Sequence, residues 1–366
     1  MEFKAAVLHG VNEPLEVKSV AIANLAPGDV LIRNHASGLC HTDLEVIQGT
    51  QLYPLPIVLG HEGAGVVEDV GKNVTQVRPG DHVVASWNPH CGRCFYCERD
   101  EPILCEPFLR NQRAGLLPDG RSRLSIDGAR LHHFGVVSSH AEYSVVPETG
   151  AIPVPKEISF DRACLIGCGV MTGVGAVVRK ARVQPGESVA IVGCGAVGLN
   201  AIQGARIAGA ARIVAIDRDA QRLDLARLLG ATELLSAGAD ALEAVKSLTA
   251  GRGADAVFEC AGSESSMQLA FEIARPGGQV VILGKTAMNQ KISLRFGSLM
   301  GEKRIVRSSY GGARPARDFP WLAGLYLLGK LMLDELITLR LPLERINEGF
   351  DAMRRGQVVR AVVQLP

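Results

Sequence analysis

Four cysteines fall close together in the 366-residue chain, at Cys91, Cys94, Cys97 and Cys105. Four thiolates suit a closed tetrahedral zinc site, because Zn²⁺ binds sulfur well at about 2.3 Å and a full ligand set leaves no position for substrate. Scattered core cysteines are one alternative, but three thiols at successive three-residue steps pack poorly in a core. Disulfides are another, and the lack of a recognisable secretory signal disfavours them. We therefore predict a structural zinc site here.

A second set of metal-binding side chains is dispersed along the chain. It comprises Cys40 in GLCHTD, His61 in GHEGAG and Cys168 in IGCGVMTG. Each alone has an ordinary explanation, since a lone Cys or His usually serves packing or lies at the surface. Together, two thiolates and one imidazole leave one coordination position open, as a catalytic zinc requires to bind and polarise an alcohol oxygen. This set predicts a catalytic zinc site.

A glycine-rich turn, GCGAVG at 193–198, follows the strand-like run SVAIV and opens the helical run LNAIQGARIAGA. Glycines at this junction permit a tight turn and close backbone approach, while the helix N-terminus offers N–H groups and a positive dipole to a pyrophosphate. A purely structural glycine turn is the alternative. The predicted coenzyme contacts of this loop are Gly193, Gly195, Ala196, Val197 and Gly198.

Asp217 ends the run RIVAID, at roughly the 20-residue distance expected of an acid that accepts the adenosine ribose hydroxyls. Its charge would repel a 2′-phosphate, so the sequence favours NAD over NADP. The neighbouring Arg218 could tolerate some phosphate. We predict that Arg218 and Arg222 also lie at the coenzyme.

The elements that must position these residues change character along the chain. From Lys4 to about Val146 short β-rich runs alternate with turn signals, whereas after Pro155 buried strands alternate with helical stretches. Alternating β and α units predict a doubly wound parallel sheet. Beyond about Tyr310 this rhythm is lost. We therefore predict a mixed fold, with a β-rich catalytic domain at 1–169 and 310–366 and an α/β Rossmann coenzyme domain at 170–309.

Composition excludes several functional classes. Hydrophobic residues make up 47% and charged residues 21%, a globular balance. The 39 basic and 38 acidic residues form no sustained basic block, so we expect no nucleic-acid partner. We find no apolar run near the roughly 20 residues of a membrane span and no signal-like N-terminus. The expected location is cytoplasmic, without membrane association.

Taken together, GHEGAGVVEDVG, GLCHTD, the four-cysteine lobe, IGCGVMTGVGA and VGCGAVGLNAI resemble the zinc-containing medium-chain alcohol dehydrogenases. The resemblance covers essentially the whole chain. DGRSRL, HHF and ITLRLPLERINEGFDAMRRG are similar to the liver-type branch with its long excursion. The resemblance implies a GroES-like catalytic domain beside the Rossmann domain, two zinc ions per chain, NAD, and a homodimer or, alternatively, a homotetramer.

The resemblance also implies roles for residues near the zinc. Thr42 would take the alcohol proton, and Asp43 would support a zinc-bound His. His41 and Arg360 would contact the coenzyme pyrophosphate. Glu62 matches the family's acidic residue near zinc.

The chain departs from the liver-type pattern around the substrate. Glu45 stands where the outer His of the proton relay is common, so the proton path differs. Trp87 replaces a smaller aromatic at the channel, and Gln51 and Arg110 replace apolar residues. We predict that these three residues and Phe134 line the substrate channel.

The resulting prediction is a zinc- and NAD-dependent dehydrogenase of a primary alcohol: aromatic, allylic or unbranched aliphatic. The alternative within the family is a glutathione-dependent formaldehyde dehydrogenase. Gln51 occupies that class's acidic channel position, and Arg110 lies one step from its glutathione-binding basic residue. A non-catalytic zinc- and dinucleotide-binding protein is a further alternative, which the intact zinc ligands and Thr42 oppose. Among the remaining histidines, no partner is predicted for His140.

Overall fold

The computed structural model describes residues 1–287 and 289–366. They form two compact units, one of Met1–Cys168 with Arg314–Pro366 and one of Gly169–Ala313. The first unit is β-rich and the second alternates strands with helices, so the predicted mixed fold class is confirmed. The catalytic and coenzyme-binding roles assigned to separate parts of the chain remain predictions.

Two sheets build the first unit. Alternating side chains of their strands are buried, as in the Glu2–Leu8 strand, where Phe3 and Ala5 are buried and Lys4 is exposed. One sheet has six strands: Glu2–Leu8, Glu16–Ile22, Ile57–Val58, Leu124–Ile126, Ala129–Arg130 and His132–His133. The other has seven: Asp29–Gly38, Glu62–Val70, His82–Ala85, Tyr143–Pro147, Ala151–Pro153, Ile337–Pro342 and Arg360–Gln364.

Short helices complete this unit. The α-helices are His41–Ile47, Phe95–Glu98, Glu106–Gln112, Phe160–Leu165, Pro315–Leu327 and Ile346–Arg354. The 3₁₀ turns are Pro102–Leu104, Glu148–Gly150, Asp334–Leu336 and Leu343–Arg345. The His41–Ile47 helix buries Leu44 and Ile47 in a core shared with Phe350. This packing fixes the helix whose first turn carries several predicted site residues.

A single six-stranded parallel sheet organises the second unit. In spatial order its strands are Glu233–Ser236, Arg212–Asp217, Ser188–Val192, Ala254–Glu259, Ala274–Ile282 and Arg304–Arg307. The central strands are buried along nearly their whole length, because helices can cover both faces of a parallel sheet. This strand order is that of a doubly wound dinucleotide-binding fold, in which the ligand lies beyond the carboxyl ends of the strands where the order reverses.

Among the described residues of the second unit, four α-helices each follow a strand and one precedes the first strand. The α-helices are Met171–Gly175, Ala196–Ile207, Ala220–Leu228, Ala241–Leu248 and Glu264–Ile273. A π-helical segment spans Ala176–Ala181, and 3₁₀ turns span Phe296–Leu299 and Tyr310–Gly312. Another π-helical segment, Ile166–Val170, precedes the first of these helices.

One helical stretch among the described residues, Phe160–Ala181, is long and apolar enough to meet the criteria for a membrane span. Of its apolar window, 72% is buried inside the protein, and core helices pass the same test. It is therefore weak evidence for a span.

Candidate metal centres and coenzyme loop

The four-cysteine cluster is assembled as predicted. The sulfur atoms of Cys91, Cys94, Cys97 and Cys105 all lie within 4.8 Å of one another. Cys94 and Cys105 each immediately precede a short helix, and the Cys91 N–H donates to Cys105 Sγ at 3.3 Å. A hydrogen bond from the backbone of Glu106 is the main cause that lowers the pKa of Cys94 to about 6. Backbone donors thus favour thiolate at this position.

Ionisation of all four thiols in this cluster is unfavourable unless a cation binds among them. Burial raises the pKa of Cys105 to about 12. Four adjacent thiolates also repel one another, so they cannot all ionise near neutral pH without a positive charge among them. A closed set of four sulfur donors is the ligand set of a structural zinc site. The residues fit zinc, in the role that the sequence predicts.

The dispersed set also comes together. The ligand atoms of Cys40, His61, Glu62 and Cys168 lie within 4.8 Å of one another. Cys40 immediately precedes the His41–Ile47 helix, His61 immediately precedes the Glu62–Val70 strand, and Cys168 lies in the Ile166–Val170 π-helical segment. Two thiolates and one imidazole form a catalytic zinc site with a coordination position left for substrate.

Asp43 orients the imidazole of this centre. Its side chain is fully buried, and its Oδ1 lies 3.2 Å from His61 Nδ1, which leaves Nε2 for the metal. The same carboxylate accepts N–H groups from Gly60 at 3.0 Å and Cys40 at 3.1 Å. Although burial disfavours the charged ring, the charges of Asp43 and Cys40 raise the pKa of His61 well above its usual value. Asp43 therefore links two ligands, as carboxylates behind metal-bound histidines commonly do.

Glu62 and Arg360 form a buried ion pair beside the cluster. Arg360 Nη2 donates to Glu62 Oε2, and both side chains are almost completely buried. Burial raises the pKa of Glu62 to about 7, and the charge of Arg360 opposes that rise. A Cβ on Gly38 would overlap Glu62 Oε2, so a larger residue there would displace the Glu62 carboxylate from its present position. Contact of Arg360 with a pyrophosphate remains a prediction.

The first turn of the His41–Ile47 helix points consecutive side chains in different directions. His41 is exposed, Thr42 is half-buried, and Asp43 is buried. Thr42 Oγ1 lies 3.8 Å from Cys40 Sγ, at the edge of the cluster. Glu45 is half-buried on the same helix. This position suits the proton-accepting role predicted for Thr42, which remains a prediction.

An aromatic series extends from the imidazole. The Phe134 ring meets His61 edge-on with centroids 5.4 Å apart, and Tyr53 meets Phe134 edge-on at 5.0 Å. Gln51 hydrogen-bonds the Tyr53 phenol, whose pKa burial raises to about 12. Phe134 and Gln51 therefore lie along one wall, as predicted channel residues would. Tyr53 is absent from the predicted site, because no local pattern marks it as a neighbour of Phe134.

Trp87 and Arg110 occupy contrasting environments. A Cβ on Gly135 would lie 3.2 Å from His61 Cβ and 3.3 Å from Trp87 Cβ, so Trp87 begins close to the ligand. Its ring packs toward Phe108, with centroids 6.5 Å apart. Arg110 is exposed on the Glu106–Gln112 helix. The channel roles of both residues remain predictions.

The coenzyme loop of the second unit has the backbone that its glycines permit. Gly193 has φ +95°, and a Cβ on Gly198 would lie 1.9 Å from Gly193 O. Gly195 precedes the Ala196–Ile207 helix and has no side chain to cap it. The first N–H groups of that helix, including those of Ala196 and Val197, thus suit a pyrophosphate.

Asp217 lies at the carboxyl end of the adjacent Arg212–Asp217 strand and holds this loop. Its Oδ2 accepts the Cys194 N–H at 2.6 Å, and its Oδ1 accepts the Asp219 N–H at 3.0 Å. Arg218 is exposed, and Arg222 Nε lies 3.6 Å from Asp219 Oδ2. The carboxylate is thus placed beside the glycine turn, and the residues fit a dinucleotide.

Comparisons with known proteins agree with this geometry. Residues 26–156 match the family model described as alcohol dehydrogenase GroES-like domain, and residues 196–326 match the one described as zinc-binding dehydrogenase. The chain is 40% identical over 367 residues to the alcohol dehydrogenase class-3 of Myxine glutinosa, with 99% of this chain and 97% of that protein covered.

Two further matches cover the whole chain. An S-(hydroxymethyl)glutathione dehydrogenase of Escherichia coli is 39% identical over 369 residues, with 100% of each protein covered. The crystal structure of benzyl alcohol dehydrogenase from Acinetobacter calcoaceticus matches with a TM-score of 0.95 at 31% identity, with 100% of each chain covered. These matches confirm the predicted family resemblance.

Proposed function

Because the chain belongs to the zinc-containing alcohol dehydrogenase family, we propose that it reversibly oxidises a primary hydroxyl group to a carbonyl with NAD. The observation that carries this proposal is the convergence of Cys40, His61 and Cys168, with Asp43 behind the imidazole and Thr42 at the edge. This donor set leaves an open position for a substrate oxygen.

Zinc and NAD would supply different parts of the reaction from those that the protein side chains supply. Zinc would lower the pKa of the substrate hydroxyl, and NAD would accept a hydride from the hydroxyl-bearing carbon. Thr42 Oγ1 accepts the substrate hydroxyl proton as it passes its own hydroxyl proton on towards solvent, so the threonine acts as a relay and ends uncharged. Asp43 keeps the His61 ring in the orientation that leaves Nε2 for the metal. Phe134 packs edge-on against one side of the buried His61 ring.

The leading substrate is S-(hydroxymethyl)glutathione. Relatives at 39–40% identity over the full chain favour this alternative over the simple primary alcohol that the sequence patterns favour. Glutathione brings carboxylates that a cation must meet. The charge of Arg113 acts on the Tyr53 phenol and opposes the rise of its pKa to about 12 caused by burial. Arg113 is exposed and its charge reaches this phenol, so we propose that it binds a glutathione carboxylate.

A simple primary alcohol, aromatic or unbranched aliphatic, is the second candidate. The edge-on series of His61, Phe134 and Tyr53 offers an apolar wall beside the zinc ligands. Flat aromatic substrates suit such a wall, and a benzyl alcohol dehydrogenase is among the similar structures.

Specificity constants distinguish the two candidates. S-(hydroxymethyl)glutathione, benzyl alcohol and a straight-chain primary alcohol are assayed with NAD in wild type, in Arg113→Gln and in Arg130→Gln. Arg130 is the matched control, because it is an exposed arginine outside the predicted channel. A charge-assisted hydrogen bond is worth about 1.5–3 kcal/mol, so Arg113→Gln should lower kcat/KM for the glutathione adduct by about tenfold or more. Benzyl alcohol turnover should not change.

Other outcomes assign the substrate differently. A preference for benzyl alcohol, with no effect of Arg113→Gln, would favour the second candidate. Absence of NAD-dependent turnover with all three compounds would contradict the proposed reaction.

A further inference from the structure

A second buried imidazole shares the carboxylate that orients the zinc ligand. His140 Nε2 lies 3.9 Å from Asp43 Oδ1, and His140 Nδ1 lies 2.9 Å from Ser37 Oγ. The side chains of His140 and Asp43 are completely buried, and Ser37 is also buried. This imidazole therefore interacts with the support of the metal ligand but is not itself in the ligand set.

The polar neighbours of His140 determine which of its nitrogens carries the proton. Burial lowers the pKa of His140 to about 4, so the ring is neutral near pH 7. Ser37 Oγ lies 2.7 Å from Ser139 Oγ, so Ser37 can accept from Ser139 and donate to His140 Nδ1. The negative charge of Asp43, which faces Nε2, favours this arrangement, in which the proton is on Nε2; this nitrogen has no hydrogen-bond partner among the described residues.

The Asp43 oxygen that faces His140, Oδ1, already accepts two hydrogen bonds, from Gly60 N–H and His61 Nδ1. An ionised carboxylate has about four acceptor positions. Asp43 uses three of them, for the N–H groups of Cys40, Gly60 and His61. At 3.9 Å the His140 N–H is too distant for a hydrogen bond, but its dipole acts on Asp43 in a buried region of low dielectric.

The backbone fixes His140 relative to the ligand. The His140 N–H donates to Leu59 O at 3.0 Å, and the Ser139 N–H donates to Gly60 O at 2.9 Å. A Cβ on Gly60, with φ +93°, would lie 2.5 Å from His140 N and 2.7 Å from its Nδ1. Glycine at position 60 thus lets His140 approach the backbone that presents His61.

We propose that His140 is a positioning residue of the catalytic zinc site. Its Nε2–H dipole restrains the Asp43 carboxylate, which in turn holds the His61 ring and the Cys40 backbone in place for metal binding. Loss of this dipole should weaken metal retention at that site only.

Three substitutions separate this role from packing. His140→Gln can keep an N–H donor near the Nε2 position. His140→Asn can keep the Ser37 contact at the Nδ1 position but is too short to reach Asp43. His140→Phe keeps the ring shape and loses both contacts.

The measurement is the rate at which a chelator removes zinc from each variant. Substitutions behind metal ligands typically cost 10–100-fold in affinity. We expect His140→Asn and His140→Phe to release the catalytic zinc at least about tenfold faster than wild type. The release rate of His140→Gln should remain within about threefold of wild type. The four-cysteine site is the internal control and should not change. When cobalt replaces zinc at the catalytic site, His140→Asn and His140→Phe should also shift the visible absorption bands of that site.

The proposal would be overturned if His140→Asn and His140→Phe both released zinc at the wild-type rate. It would also be overturned if His140→Gln released zinc as fast as His140→Asn. If the Phe variant fails to fold, Ser37→Ala is the substitute, since it removes the hydroxyl donor that fixes the His140 tautomer. Unchanged zinc release from Ser37→Ala would likewise overturn the proposal. Thermal unfolding of the metal-free variants reports any separate packing defect.

Discussion

Removal of the Asp217 charge should change coenzyme choice without dismantling the coenzyme loop. In Asp217→Asn, the amide oxygen can still accept the buried Cys194 N–H, which the carboxylate accepts at 2.6 Å, and only the acceptor for the Asp219 N–H is lost. The variant loses the charge that strengthens ribose binding and repels a 2′-phosphate. Asp217→Gly, by contrast, removes the loop contact as well.

The structure sets the expected magnitudes. Loss of a charge-assisted hydrogen bond costs about 1.5–3 kcal/mol, so NADH should bind Asp217→Asn about 10- to 100-fold more weakly. Two unit charges 4 Å apart interact by about 4 kcal/mol at an effective dielectric of 20. Relief of this repulsion should tighten NADPH binding by about tenfold or more. Asp217→Gly should also lower the free energy of unfolding by about 1–3 kcal/mol, because the buried Cys194 N–H loses its acceptor.

Fluorescence titration with NADH and NADPH, with urea unfolding of the same variants, checks these values. Asp219→Asn is the matched control, because Asp219 is a neighbouring carboxylate that caps the Ala220–Leu228 helix. An unchanged NADPH/NADH affinity ratio in Asp217→Asn would refute the assignment of the ribose site. An equal change in Asp219→Asn would show that the general loss of charge, not the position of Asp217, sets the preference.

Three further predictions concern metal content, proton transfer and pH. Cys40→Ser should lower the zinc content from two ions per chain to one, as measured by elemental analysis. If this variant kept wild-type activity, the assignment of Cys40 to the catalytic site would be contradicted. Thr42→Ala should lower turnover about 10²- to 10⁴-fold where hydride transfer limits the rate, and Thr42→Ser, the control, should have only a small effect. Equal turnover of Thr42→Ala and wild type would show that Thr42 has no part in proton transfer. Burial lowers the pKa of His133 to about 3, so unfolded chains take up a proton below pH 6.5 that the native state does not. The stability that this group contributes is therefore lost as pH falls from 6.5 towards 3. His133→Gln should lower the dependence of the free energy of unfolding on pH in this range by up to about 1.4 kcal/mol per pH unit, as measured by urea unfolding. An unchanged pH dependence would assign it to other groups.

Local motifs made part of the site predictable. The glycine turn is encoded in six consecutive residues between a strand and a helix, and the four structural cysteines lie within 15 residues of one another. In both cases short-range geometry determines the spacing, so residue types alone predict the contacts. The parallel sheet follows from the same kind of local alternation.

Contacts that depend on strand register were not predictable in this way. His140 meets Ser37 because the Tyr143–Pro147 strand pairs antiparallel with Asp29–Gly38, in the register that places Tyr143 opposite Arg33. No periodic pattern specifies this register. The edge-on contact of Tyr53 with Phe134 likewise joins residues 81 positions apart. His140 and Tyr53 therefore emerged only from the fold, whereas the family resemblance had already implied Asp43.

The two metal centres depend on the protein in different ways. The lobe of the four cysteines has only a four-residue helix, Phe95–Glu98, and a 3₁₀ turn, and its Phe95 is 52% exposed. Cys105 is buried in a hydrophobic core with Phe108 of the helix that follows the lobe, and the other three cysteines are partly buried against that core. Coordination of zinc must therefore supply most of the cohesion of the lobe, as in small metal-dependent folds. At the catalytic centre the helix, strand and carboxylate that hold the ligands are already packed and hydrogen-bonded, so metal removal there should leave the surrounding fold intact.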